Sequence, residues 1–111
     1  MTAEERRKSP RFPVDVPARI GVGHETLMAR LRDVCRDAAY VEANRMLPLE
    51  TPVSVAMELP GTGGPLEVRG TVIRLAPGEE GTHGMAILFQ DVTPAAALRI
   101  DFFISQQEGA G

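Results

Sequence analysis

Pro52-Val53-Ser54-Val55-Ala56-Met57-Glu58-Leu59, followed by Gly61-Thr62-Gly63-Gly64-Pro65 and then by Leu66 to Leu75, decides the fold class. Val53, Val55, Met57 and Leu59 recur with period two, the side-chain period of a strand. The glycines and proline of residues 61–65 mark a turn. Leu66 to Leu75 is the longest strand candidate, and Gly70 in its middle predicts a bulge or a bend. The unit is a hairpin.

The same grammar extends in both directions. Upstream, Val16, Ala18, Ile20 and Val22 alternate with polar or small residues, and Pro17 suits a strand start or an edge. Gly23-His24-Glu25 is a turn, and Thr26 to Val34 is the next strand, with Leu27, Ala29 and Leu31 on one face. Asp33 to Ala38 is a connection, and Ala39 to Glu42 resumes a strand. Asn44 to Thr51 is a loop whose Met46 and Leu47 are placed to plug a barrel end. Downstream, Pro77 to Thr82 is a polar turn and Gly84 to Phe89 the last strand. Short strands at regular spacing with Gly/Pro turns predict an all-β barrel or sandwich.

Thr93-Pro94 then opens a helix from Ala95 to about Gln107, with Thr as the N-cap and Pro at the first helical position. Ala96, Ile100, Phe103 and Ile104 form one apolar arc, suited to sealing the barrel. Leu98 and Phe102 form a second arc that needs another cover, a loop or a second copy of the chain in a homodimer. The expected organisation is one domain over residues 1–111: an arm at 1–11, a barrel at 12–92 and a closing helix at 93–107.

Composition excludes several classes. At 111 residues, with 43% hydrophobic and 24% charged residues, the chain can bury one modest core. No run of about 18 uncharged apolar residues exists, so no membrane insertion is expected. The polar, acidic start Met1-Thr2-Ala3-Glu4-Glu5 carries no secretory pattern, and one cysteine, Cys35, fits a reducing compartment; a cytoplasmic location is expected. The net charge is −3, yet Arg6 to Arg11 holds four of the twelve basic residues, leaving a balance of −7 elsewhere. An acidic body argues against DNA or RNA, and the absence of Trp argues against a stacking platform for single strands. No cofactor, metal motif or catalytic set is expected: there is no Ser/His/Asp spacing, no phosphate loop before a helix, and too few Cys and His for zinc.

The charge is concentrated in Arg7-Lys8-Ser9-Pro10-Arg11, with Arg6 before it. Pro10 disfavours helix at Ser9, so the segment is an extended, flexible arm. Two arginine forks four residues apart can grip phosphates or guanine edges in bidentate fashion. Taken alone, such a run reads more often as a solvated charge cluster.

The ordered combination resembles the PilZ domain family: the Arg7/Arg11 pair, Phe12-Pro13-Val14-Asp15-Val16-Pro17-Ala18, a turn from Asp33 to Ala38, Gly84 to Phe89, and a final helix. The resemblance implies a six- to seven-stranded antiparallel barrel with a C-terminal helix. It also implies a binding module for the bacterial second messenger cyclic-di-GMP. In that reading Arg7 and Arg11 clamp the ligand and Asp33 accepts hydrogen bonds from a guanine. Arg6 and Arg36 are extra phosphate contacts, and the arm orders on binding to signal to an unidentified partner protein. The second motif departs from the family's Asp/Asn-x-Ser-x-x-Gly. Cys35 stands in the serine position, and a thiol is a weak donor and acceptor. Ala38 stands in the glycine position, at a cost of about 1 kcal/mol if the turn needs positive φ. Asp37 adds a negative charge beside a site for a dianion. A summed loss of about 3 kcal/mol raises a dissociation constant by over two orders of magnitude, so weakened affinity is expected. The competing expectation is an interaction module that no longer binds the nucleotide and works through the second helix arc or a strand edge.

Overall fold

The computed structural model describes residues 12–110, with side chains from 13 to 107. The order is β1 (Phe12–Val22), β2 (Glu25–Val34), β3 (Ala38–Ala43), β4 (Pro52–Met57), β5 (Leu66–Pro77), β6 (His83–Gln90) and α1 (Pro94–Ala110), with a short 3-10 turn at Glu79–Gly81. All pairings are antiparallel and close a barrel in the order β1-β2-β3-β6-β5-β4. Closure removes the free edges that an open sheet would offer to other chains.

The period-two pattern sets what lies inside. Ile20, Leu31, Val41, Val55, Met57, Val72, Met85 and Ile87 are fully buried in one cluster, while alternate positions face out. Ala96, Ile100 and Phe103 of α1 enter the same cluster, so the first helix arc completes the core as expected. Burial of Phe103 contributes about 1.5–3 kcal/mol by itself. Thr93 caps the helix, its Oγ1 accepting from Ala96 N–H at 3.1 Å. The second arc stands out in the open: Leu98 is 67% exposed and Phe102 51%.

Several boundaries differ from the sequence reading. β1 starts at Phe12 and not at Val16, because a bulge between Pro13 and Val16 lets the ladder with β2 continue. Pro17 sits inside β1, but its carbonyl accepts from Glu58 N–H on the β4 side, just before the β1–β4 ladder begins at Ala18. Its missing N–H therefore costs no ladder bond. β4 ends at Met57, although Leu59 stays buried. Gly70 makes no bulge: it pairs regularly with Val53 and Phe89, and the irregularity on β5 lies between Val72 and Arg74. The glycine is there for closeness, since a Cβ would stand 2.6 Å from both Leu88 O and Ile87 Cγ2. Of the two loop residues expected to plug the barrel, Leu47 is buried and Met46 is 53% exposed.

Candidate functional site

The turn between β2 and β3 is shorter than its motif. Asp33 and Val34 are the last residues of β2, Ala38 is the first of β3, and only residues 35–37 bridge them. A bulge between Leu31 and Asp33 shifts the register, so Leu31 faces the core, Asp33 pairs with the half-buried Tyr40, and Val34 returns to the core. The bulge takes Asp33 out of the strict alternation of β2 and leaves its side chain half-buried next to the turn.

Three hydrogen bonds hold the turn. Cys35 N–H donates to Ala38 O at 2.9 Å, and Phe89 N–H on β6 donates to Asp37 O at 2.8 Å. Cys35 is buried, and its Sγ accepts from Asp37 N–H at 3.4 Å. The thiol thus performs the local bond that a serine hydroxyl performs in such turns. The cysteine costs strength in that bond and leaves the turn intact. Ala38 is not among the described non-glycine residues with positive φ, which are Glu50, Glu80 and Asp91. The expected backbone penalty at Ala38 therefore does not arise, because the residue is in a strand and not at a tight corner.

Arg36 points away from the turn and pairs with the Asp101 carboxylate on α1. That hydrogen bond and the charge of Asp101 hold the guanidinium above its ordinary pKa. Arg36 is therefore engaged in tying turn to helix. Beside it, a groove of about 450 Å³ runs along α1 past Asp37, Pro94 and Leu98. A second hollow of about 570 Å³ continues along Leu98 and Phe102 to Thr62 in the β4–β5 hairpin. The helix partner Asp101 and the β6 contacts had no signal in the sequence, since they arise from pairings across the barrel.

Arg6, Arg7 and Arg11 lie outside the described residues. The place where their segment joins the barrel is described: Phe12 pairs with Val34 and Pro13 with Asp33. Arg11 precedes Phe12 directly, and Arg7 is five residues from it, a reach of at most about 18 Å. The described end of the segment that carries the arginine pair therefore adjoins the Asp33–Ala38 turn. Asp33, Cys35, Ala38 and Arg36 are brought together at the turn, and Arg36 is paired with Asp101.

The PilZ domain family model matches residues 5–106. The chain belongs to the PilZ domain family. Solved structures agree on the fold. The PilZ domain of YcgR from Escherichia coli, solved with c-di-GMP, has a TM-score of 0.77 at 15% identity, with 95% of this chain and 93% of that one covered. The Bacillus subtilis inhibitor of motility MotI/DgrA has a TM-score of 0.79 at 12% identity, covering 95% of this chain and 52% of that one. PlzA of Borreliella burgdorferi, in complex with c-di-GMP, has a TM-score of 0.58 at 9% identity, covering 98% and 55%. The chain thus spans about half the length of the last two proteins. A search of curated proteins by sequence finds no match. Among the described residues no group of His, Cys, Asp and Glu is arranged to hold a metal ion, and no helix is long and apolar enough to cross a membrane.

Proposed function

We propose that this PilZ chain is a cytoplasmic cyclic-di-GMP receptor module, a binder and not an enzyme. One observation carries the reading: the segment bearing Arg7 and Arg11 joins the barrel at the Phe12–Val34 pair, beside Asp33 and the turn. Arginines on a short tether can close on the phosphates while the Asp33 carboxylate accepts from a guanine's N–H groups. Two PilZ proteins of similar fold, YcgR and PlzA, were solved with this ligand. Binding is weakened by the thiol at Cys35 and by the charge of Asp37, and not by backbone strain at Ala38. Arg36 acts through Asp101 on α1, which links the ligand turn to the helix. Ordering of the arm signals to a partner protein.

Titration calorimetry of the whole chain with cyclic-di-GMP tests this. Binding in the micromolar range that Arg7→Ala/Arg11→Ala abolishes is the expected result. No heat at high ligand concentration removes the receptor reading. The exposed Leu98 and Phe102 on α1 favour the second reading in that event, a PilZ interaction module that works by protein contacts alone, including self-association.

A further inference from the structure

The outward face of α1 carries no charge, although the chain around it is acidic. At 3.6 residues per turn, Ala95, Leu98, Phe102 and Ser105 fall on one line of the helix, and all four are exposed. From Pro94 to Gln107 the helix holds two charges, Arg99 and Asp101, one on each flank of that line. Both are turned to the barrel. Arg99 donates to Thr62 Oγ1 and to the Gly64 carbonyl, and Asp101 pairs with Arg36. Outside residues 6–11 the chain has eight basic against fifteen acidic residues, so two copies repel over much of their surface. Along α1 they can meet without setting like charges together, because the flanking Arg36–Asp101 pair is itself neutral.

The relief of this face is self-complementary. Leu98 borders both the 450 Å³ groove towards Asp37 and Val92 and the 570 Å³ hollow towards Thr62, so it is the crest between two depressions. Phe102 extends the crest along the second hollow. In a two-fold contact one patch supplies both the knob and the hole, and a crest beside depressions can receive a copy of itself. A different protein would find little charge here to select it. Size sets the strength. A helix of 17 residues is about 25 Å long and about 10–12 Å wide, so its face offers about 250–300 Å², against about 800 Å² per partner in a standard interface. The flanking depressions supply more, and the contact falls in the small, reversible class.

We propose that α1 is a dimerisation face: two copies pack α1 against α1 about a two-fold axis, with Leu98 and Phe102 of each seated in the depressions beside the other's helix. This goes beyond the receptor reading and does not depend on it, since no ligand enters the contact.

Sedimentation velocity of the whole chain from about 5 to about 500 μM tests it. The expected result is a monomer–dimer equilibrium with a Kd of about 10–100 μM that persists in about 0.5 M salt, as an apolar contact does. Leu98→Glu and Phe102→Glu each set two like charges, one per copy, into the contact. Each is expected to weaken dimerisation by at least about 30-fold and to leave mainly monomer at every concentration. Both positions are exposed and Glu is a good helix former, so the fold is kept. Circular dichroism checks this, and Leu98→Ala, with a loss of about tenfold expected, replaces any variant that does not fold. A wild-type chain that stays monomeric throughout overturns the dimer and leaves the face to a different protein or to the chain's own N-terminal segment. A dimer that the Glu variants do not weaken, or that salt dissolves, overturns α1 as its seat and points to the basic arm against the acidic body instead.

Discussion

Cys35 differs from serine by one atom, and the turn around it shows what that atom changes. Its Sγ already occupies the acceptor position for Asp37 N–H, at 3.4 Å. A hydroxyl oxygen there accepts at about 2.9–3.0 Å and more strongly, since sulfur is a poor acceptor. The site is buried, but the hydroxyl arrives with its partner in place, so burial brings no unsatisfied group. Cys35→Ser is therefore expected to keep the fold and to tighten cyclic-di-GMP binding by about two- to tenfold, the size of one neutral hydrogen bond improved. Calorimetry on the variant checks it; unchanged affinity would show that the serine position acts only within the turn. The sequence alone pointed to weakness at both Cys35 and Ala38. The weakness of sulfur as a hydrogen-bond partner is a property of the residue and is legible in its name. The strain assigned to Ala38 depended on a φ angle, and φ at one residue cannot be read from the residue's name.

At the scale of elements, period-two runs and the Gly/Pro turns between them located all six strands, and alternation is clearest in β1, β2 and β4, where the core selects every second side chain. The six-stranded closure, the helix cap at Thr93 and the buried arc of α1 follow the expectations drawn from pattern and family resemblance. What stayed hidden was register. The bulges at Pro13/Val16, Leu31/Asp33 and Val72/Arg74 depend on partner strands, and so do the Tyr40–Ala86 and Arg36–Asp101 pairs. Gly70 shows the difference sharply. Read locally, a glycine in a strand suggests a kink; in the barrel it is a point where β5 approaches β6 too closely for a side chain. Neither Leu88 O, a backbone atom, nor the buried Ile87 can give way cheaply. Gly70→Ala is thus expected to destabilise the domain by about 1–3 kcal/mol through overpacking, despite a better strand propensity. Urea unfolding should show a lower midpoint with an unchanged slope. A neutral or stabilising result would contradict the close approach.

For the whole molecule, charge is sorted between an arm and a body. The basic arm precedes a barrel whose outer surface ties its own arginines to acids. Arg30 and Arg32 both reach Asp15, Arg32 also meets Glu42 and Glu79, and Arg45 grips Glu25 with both nitrogens at 2.8 and 3.0 Å. With Arg36–Asp101 and Arg69–Asp91, these pairs engage five of the body's eight arginines, which leaves the arm as the most concentrated source of positive charge for an anion. They also fix the sign of the pH response. The hydrogen bond from Arg30 pulls the Asp15 pKa below its ordinary 3.8, and that from Arg45 pulls Glu25 below its ordinary 4.5. A carboxylate with a depressed folded pKa contributes stability that is complete above its unfolded value and is lost as pH falls through the folded one. The melting temperature is therefore expected to stay level from these two groups between pH 7 and about 5, and to fall below about pH 4. Both groups are exposed, so the contribution is modest and shrinks in high salt. Circular dichroism melts across pH 3–7 check the direction, and Asp15→Asn/Glu25→Gln isolates the cause. That variant should melt slightly lower than the wild type at pH 7, and the difference should shrink as the pH falls through the depressed folded pKa values. A constant difference at every pH would instead assign the effect to packing, which does not titrate.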